Sequence, residues 1–124
     1  MNEVTVQRIE DVEPYSGPGA REGIEFRSMA RALGVTAWGM GLLKLVPGCT
    51  TYPEHDHAKD GQEEVYVVLE GSATLRADGA EWKMERGHFA RVPPGVRRNW
   101  KPGDKGVTIL AIGATPGKAY EPRR

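Results

Sequence analysis

The 124 residues amount to 13.6 kDa, one domain of ordinary size, so any site must be built inside a single core or between copies of the chain. Seventeen Lys and Arg balance seventeen Asp and Glu, which leaves no net basic field to hold nucleic acid or an anionic membrane and excludes both as partners. A single cysteine, Cys49, excludes an internal disulfide. Glu3, Glu10, Asp11 and Glu13 stand where a secretory signal needs an apolar run, which points to the cytoplasm, and no uncharged stretch approaches the roughly 18 apolar residues of a membrane helix.

In chain order, residues 1–24 mix Val4, Val6, Ile9 and Val12 with Pro14, Gly17, Pro18 and Gly19, a pattern that predicts an edge strand followed by an irregular loop. Between Glu25 and Leu33, Phe26, Met29, Ala30 and Leu33 recur at helical spacing and Gly34 follows as a C-cap, which predicts one short helix. The pattern then turns to β. Strands are predicted over Val35 to Val46, Glu64 to Leu69, Ala73 to Arg76, Glu81 to Met84, Phe89 to Val92, Arg97 to Lys101 and Val107 to Ile112, with Asp78-Gly79 as a hairpin turn. Turn signals every 8–12 residues or so suit an antiparallel sandwich or small barrel. The expected organisation is an N-terminal segment (1–34) packed on a barrel (35–114), with an extended tail (115–124) that Tyr120 anchors either onto the barrel or onto a partner.

Both faces of the strand from Glu64 to Leu69 are largely apolar: Tyr66 and Val68 on one, Val65, Val67 and Leu69 on the other. In a barrel one face fills the lumen and the other needs a cover, for which a homodimer is one solution; a central strand of a monomeric sandwich is the other.

The chemistry concentrates in Gly48-Cys-Thr-Thr-Tyr-Pro-Glu-His55-Asp-His57, continuing through Asp60-Gly61 to Glu64 and Gly71. Residues two apart on an extended backbone share a face, so both imidazoles can meet one ion, and Glu64 can return beside them after the turn. Two imidazoles and a carboxylate suit a divalent transition metal: iron, manganese, nickel or zinc. A bare His-x-His in a polar stretch is more often an ordinary loop; the added acid and the flanking glycines move the balance toward a site.

A second stretch runs Gly87-His-Phe-Ala-Arg-Val-Pro93-Pro94-Gly95-Val-Arg97-Arg98. Together the two resemble the motifs of the cupin superfamily. Its first motif is similar to Gly48, His55, His57, Glu64 and Gly71, and its second, a Gly, five residues, Pro-x-Gly, two residues and a His, is similar to Gly87, Pro93, Gly95 and then Arg98. The resemblance implies an all-β, antiparallel jelly-roll barrel of six to eight strands, a metal or small molecule in its mouth, and frequent homodimers.

Two departures from the family pattern matter. Ala58 to Glu63 lengthen the gap before Glu64, so that Glu63 competes for the acid position, although the count back from Gly71 and strand parity favour Glu64. Arg98 stands where the family has its fourth ligand, and a guanidinium has no lone pair to give a metal. At an effective dielectric of about 20, a doubly charged ion about 5 Å away is repelled by on the order of 6 kcal/mol. Two mechanisms follow. In one, His55, His57 and Glu64 hold the metal while Arg98 receives the carboxylate or phosphate of a small anionic substrate, as an oxygenase, isomerase or lyase would use. In the other, the pocket is metal-free, Arg98 pairs with Glu64, and the protein binds or senses a ligand without turning it over. A third class, a structural oligomerisation module, predicts a pocket filled with side chains. Of the three tryptophans, Trp100 shares a strand face with Arg98 and joins Tyr66 as a substrate-lining residue, whereas Trp38 and Trp82 read as core. Cys49 reads as a small buried residue, His88 as surface, and Arg91 and Arg97 as a solvated sheet face.

Overall fold

A computed structural model describes residues 3–121. It contains β1 (Ile24–Ser28), α1 (Met29–Leu33), β2 (Gly39–Leu45), β3 (Glu63–Ala77), β4 (Ala80–Glu85), β5 (Phe89–Val92) and β6 (Arg98–Ala114). The strands are antiparallel neighbours in the order β1-β2-β6-β3-β4, and β5 pairs with β3. This is the all-β jelly-roll barrel expected.

Two long strands, β3 and β6, run beside each other and form its spine, where sequence alone suggests four short ones. Each bends in the middle, and the burial pattern shows how. In β3 the side chains in the core cluster are Tyr66 and Val68 before the bend and Ala73 and Leu75 after it; in β6 they are Trp100 before, Val107 and Ile109 after. Inward positions switch from even to odd numbers in both strands, which a regular period of two cannot do. An extra β3 residue between Val68 and Glu70 supplies the shift in that strand, and the β6 residues between Pro102 and Val107, opposite the step from Gly71 to Ala73, supply it in β6. The bends stack on one another: Gly71 sits at φ +75°, where an added Cβ would collide with the Gly106 carbonyl, and Gly106 at the same φ would drive one to 2.7 Å from the Leu45 carbonyl. Only glycine meets both demands.

The core is Leu43, Leu45, Tyr66, Val68, Leu75, Met84, Val92, Trp100, Val107 and Ile109, with Cys49 buried at its edge as expected. The turn at Asp78-Gly79 has positive φ at both residues, as a two-residue hairpin of that composition requires.

Three expectations are corrected. Residues 3–23 contain a 3-10 turn at Ile9–Asp11 and no strand; Val4 and Val6 lie exposed, and the interruptions at Pro14, Gly17 and Pro18 leave the segment strapped to β1 by the Arg27 Nε donation to the Val12 carbonyl and the Tyr15 N–H donation to the Phe26 carbonyl. The helix begins four residues later than its periodicity suggests. Ile24–Ser28 pair residue by residue with Leu45–Gly41 as β1, and the Ser28 hydroxyl then caps α1 by accepting from the Arg31 N–H, with Gly34 closing it in the left-handed conformation. Phe26 therefore belongs to a strand whose ring lies over Gly41. Finally, Trp38 precedes β2 and Trp82 faces outward on β4, both nearly half exposed, so Trp100 alone of the three is core.

Replacing Gly71 by Ala is expected to cost about 2 kcal/mol or more, because it combines a forbidden backbone region with a main-chain collision. Equilibrium urea unfolding checks this; an unchanged midpoint would contradict the account of the bend.

Candidate metal centre

The residues that carry the chemistry are brought together by backbone pairing rather than by their own attraction. His55 forms an isolated antiparallel bridge with Arg98: its N–H donates to the Arg98 carbonyl (3.1 Å) and its carbonyl accepts from the Arg98 N–H (2.8 Å). Two residues on, the His57 N–H donates to the Pro94 carbonyl (2.8 Å). The first motif is thus stitched in extended form to the second. The long gap before the acid is taken up by a turn in which the His57 carbonyl accepts from Gly61 N–H at 2.7 Å and Gly61 adopts φ +69°. That turn delivers the chain into β3 with Glu64 facing inward and Glu63 outward, where Glu63 ion-pairs with Arg91 on the surface. Glu64 is the acid of the site.

One atom organises the cluster. Glu64 Oε1 accepts from the Tyr66 hydroxyl at 2.6 Å and lies 3.1 Å from His57 Nε2, 3.9 Å from His55 Nε2 and 3.6 Å from Arg98 Nη1. One donor atom from each of His55, His57 and Glu64 falls within 4.8 Å of the others. The far nitrogens of both rings are occupied: His55 Nδ1 against the Pro53 carbonyl (3.2 Å) and His57 Nδ1 against the Asp60 carboxylate (3.1 Å). Anchoring Nδ1 directs Nε2 inward, the usual arrangement behind metal-binding imidazoles. The donor set therefore fits a divalent transition metal.

Protonation follows from the same contacts. Hydrogen bonding to Glu64, the largest influence, holds the His57 pKa above its ordinary 6.5 despite burial, with Asp60 assisting. His55 goes the other way because burial penalises its charged form more than Pro53 and Glu64 favour it. Burial raises the Glu64 pKa, but hydrogen bonds from His57 and Tyr66 and the nearby charges outweigh it and leave the group below its ordinary 4.5. Tyr52 and Tyr66 are pushed far up, chiefly by burial, and stay neutral.

Around the cluster the barrel mouth divides into two lobes that share Phe26, His57, Glu64 and Ala111. The inner lobe, about 320 Å³, is walled by Tyr52, Tyr66, His55, Leu43 and Ile24 with Arg21 at its rim. The outer lobe, about 510 Å³, opens past Gly39, Gly41 and Gly113 toward Tyr15, Tyr120 and Arg31. The mouth is hollow, against a barrel filled with side chains. The Tyr120 hydroxyl stands over Gly39.

Tyr66 takes its expected place on the lobe wall. Arg98 and Trp100 do not. Arg98 is 0% exposed, with Nη2 donating to the Pro93 carbonyl (2.9 Å) and reaching the Val92 carbonyl (3.5 Å), so it lies behind Glu64 and cannot offer a fork to a substrate. Trp100, 1% exposed, packs edge-on against Tyr66 at 5.4 Å and forms the floor beneath the site. The parity argument found the right strand face, but in a narrow barrel that face meets the core before it reaches the cavity. His88 is exposed, its Nδ1 accepting from the Glu85 N–H, and Arg97 pairs with Glu54 in solvent. Sequence reasoning missed Tyr52, Asp60, Phe26 and Arg31; of these only Asp60, three residues after His57, carried a local signal.

A hollow antiparallel barrel with a two-histidine, one-glutamate mouth defines a class of small β-barrel proteins built around a ligand site. Comparison places the chain within it: the Cupin domain family matches residues 41–113, more than half its length, and the chain belongs to that family. Among solved structures, a sugar phosphate isomerase of the cupin superfamily from Silicibacter pomeroyi superposes with a TM-score of 0.74 at 23% identity, covering 90% of this chain and 77% of that one. A predicted oxalate decarboxylase from Thermotoga maritima gives 0.72 at 21% identity over 90% and 99%. A cupin protein from Bacteroides fragilis gives 0.67 at 20% identity over 93% of each chain. At these identities the likeness is one of fold. No curated protein matches the chain. Among the described residues no helix is long and apolar enough to cross a membrane.

The protonation pattern has a measurable consequence for the metal-free protein. The raised His57 pKa contributes stability that is complete below about pH 6.5 and is lost as pH climbs through the folded value; the lowered Glu64 pKa contributes stability that is complete above about pH 4.5 and is lost as pH falls through its folded value. Thermal unfolding in chelator should show the largest advantage over His57→Gln between those limits, shrinking on either side. A difference independent of pH would contradict the assignment.

Proposed function

We propose that the chain binds a small, oxygen-rich organic molecule in the barrel mouth and acts on it with a divalent transition metal held by His55, His57 and Glu64, as a metal-dependent isomerase, lyase or oxygenase. The observation that carries this reading is the convergence of two inward-facing Nε2 atoms on Glu64 Oε1, with both Nδ1 atoms tied elsewhere. The kinship of fold with a sugar phosphate isomerase and a predicted oxalate decarboxylase supports small oxygenated substrates. When bound, the metal would supply Lewis acidity to a substrate oxygen.

The chain's own groups have distinct tasks. Tyr66 donates to Glu64 and fixes the carboxylate rotamer; Asp60 and the Pro53 carbonyl fix the imidazoles; the neutral Tyr52 hydroxyl lines the inner lobe as a hydrogen-bonding group for substrate oxygens. Arg98 keeps Glu64 ionised: a fully buried guanidinium without a counter-charge would cost several kcal/mol, so the carboxylate opposite it stays negative. That service weakens metal binding, because the same positive charge opposes any cation at the site.

The 3.6 Å approach of Arg98 to Glu64 also favours a second reading, a metal-free binding protein in which the guanidinium is the permanent cation. Calorimetric titration of chelator-treated, untagged protein with Mn²⁺ and Zn²⁺ separates them. The first reading predicts one equivalent, weakened at least about tenfold by His57→Ala and tightened at least about tenfold by Arg98→His, which removes the opposing charge and adds a ligand nitrogen. Failure of the wild-type protein to take up either ion would overturn it in favour of the second.

A further inference from the structure

The charges along the barrel mouth are unevenly distributed. Among the described residues walling the two lobes the only acid is Glu64, and its charge is already engaged by Tyr66, His57 and the buried Arg98. Two arginines, Arg21 and Arg31, stand on the same walls, and neither makes an ion pair among the described residues; of the exposed arginines elsewhere, Arg8, Arg76, Arg91 and Arg97 do and Arg86 does not. The uncompensated charge of the mouth is positive and sits away from the metal ligands. Arg98, the residue that sequence reasoning assigned to substrate, is sealed behind Glu64.

Arg31 is the better placed of the two. It opens into the larger lobe, about 510 Å³, which is room for a molecule that also reaches His57 and Glu64. Its backbone is fixed by a capped turn, with the Ser28 hydroxyl at one end and Gly34 at the other, whereas Arg21 rides on the irregular segment before β1. Between Arg31 and the cluster the lobe wall runs past Gly39, Gly41 and Gly113, over which the Tyr120 hydroxyl, the Phe26 ring and the Gln62 side chain lie in turn. Hydroxyl, amide and aromatic groups along that wall suit the body of a polyhydroxylated chain, and an arginine on the same wall suits its terminal carboxylate or phosphate.

From this juxtaposition we propose that Arg31 is the specificity residue of the site: it receives the terminal oxyanion of a small polyhydroxylated acid or phosphate ester lying along the outer lobe, with its opposite end at His55, His57 and Glu64. The proposal rests on the barrel mouth being the ligand site, but not on the metal.

The test is calorimetric binding of gluconate, glucose 6-phosphate and uncharged glucose to wild type and to Arg31→Gln, Arg31→Lys, Arg21→Gln and Arg86→Gln, each with and without Mn²⁺. Arg86 lies on the surface remote from the mouth and controls for net charge. Both or one of the anions should bind more tightly than glucose; Arg31→Gln should lose at least about tenfold of that affinity and Arg31→Lys recover part of it, with Mn²⁺ uptake and thermal stability unchanged. Which anion responds identifies carboxylate or phosphate as the group read. The proposal is overturned if neither anion binds wild type better than glucose, if Arg31→Gln binds as wild type does, or if the loss follows Arg21→Gln or Arg86→Gln instead. Absent Mn²⁺ uptake with an intact Arg31 effect would sink the metal reading and leave this one standing; normal uptake without the effect would do the reverse.

Discussion

A single carboxylate oxygen, Glu64 Oε1, is the constraint on which the mouth of this barrel depends. It faces a tyrosine hydroxyl, two imidazole nitrogens and a guanidinium within 3.9 Å, and only the two shortest of these contacts are hydrogen bonds. Tyr66 takes the shortest contact and His57 the next, while Arg98 contributes charge without a hydrogen bond at Nη1. An ionised Glu64 supplies the counter-charge of the buried Arg98, and Arg98 in turn ties back to the Pro93 and Val92 carbonyls, so the second motif's turn is held by the same charge pair that prepares the site. Binding competence and local stability therefore share one atom.

The rest of the fold places that atom. Glu64, Tyr66 and Val68 point inward only because β3 changes its inward parity at Gly71, and β6 makes the matching change at Gly106 where the two bends cross. Without the crossing, either the metal-facing half or the core-facing half of β3 would turn its apolar side to water. The His55–Arg98 bridge then closes the mouth from the opposite side, so backbone hydrogen bonds rather than side-chain attraction bring the histidines to the acid. A site preorganised in this way exists before any ion arrives.

Much of this was legible in the chain itself. The spacing of His55, His57, Glu64 and Gly71 marked three converging side chains that could hold a metal, and the turn signals marked the barrel. What escaped has physical reasons. The bends in β3 and β6 look like strand ends because glycine is what both features use. The helical spacing of Phe26 with Met29 and Leu33 spans a strand and a helix that meet at Ser28, and periodicity cannot show the seam. Trp100 and Arg98 lie on the correct strand face, yet how far a face extends from core to cavity depends on the barrel's diameter, which one strand does not encode. Tyr52 and Arg31 come from segments whose approach to the mouth is set by long-range pairing alone.

The central claim is that His55, His57 and Glu64 form one coordination shell from which Arg98 stays excluded. X-ray absorption at the metal edge of protein loaded with one equivalent of Zn²⁺ tests it most directly. The account predicts scattering from two imidazoles and one carboxylate oxygen at about 2.0–2.2 Å, with light oxygen ligands completing the shell. A bound ion surrounded by oxygen alone, with no imidazole scattering, would contradict it.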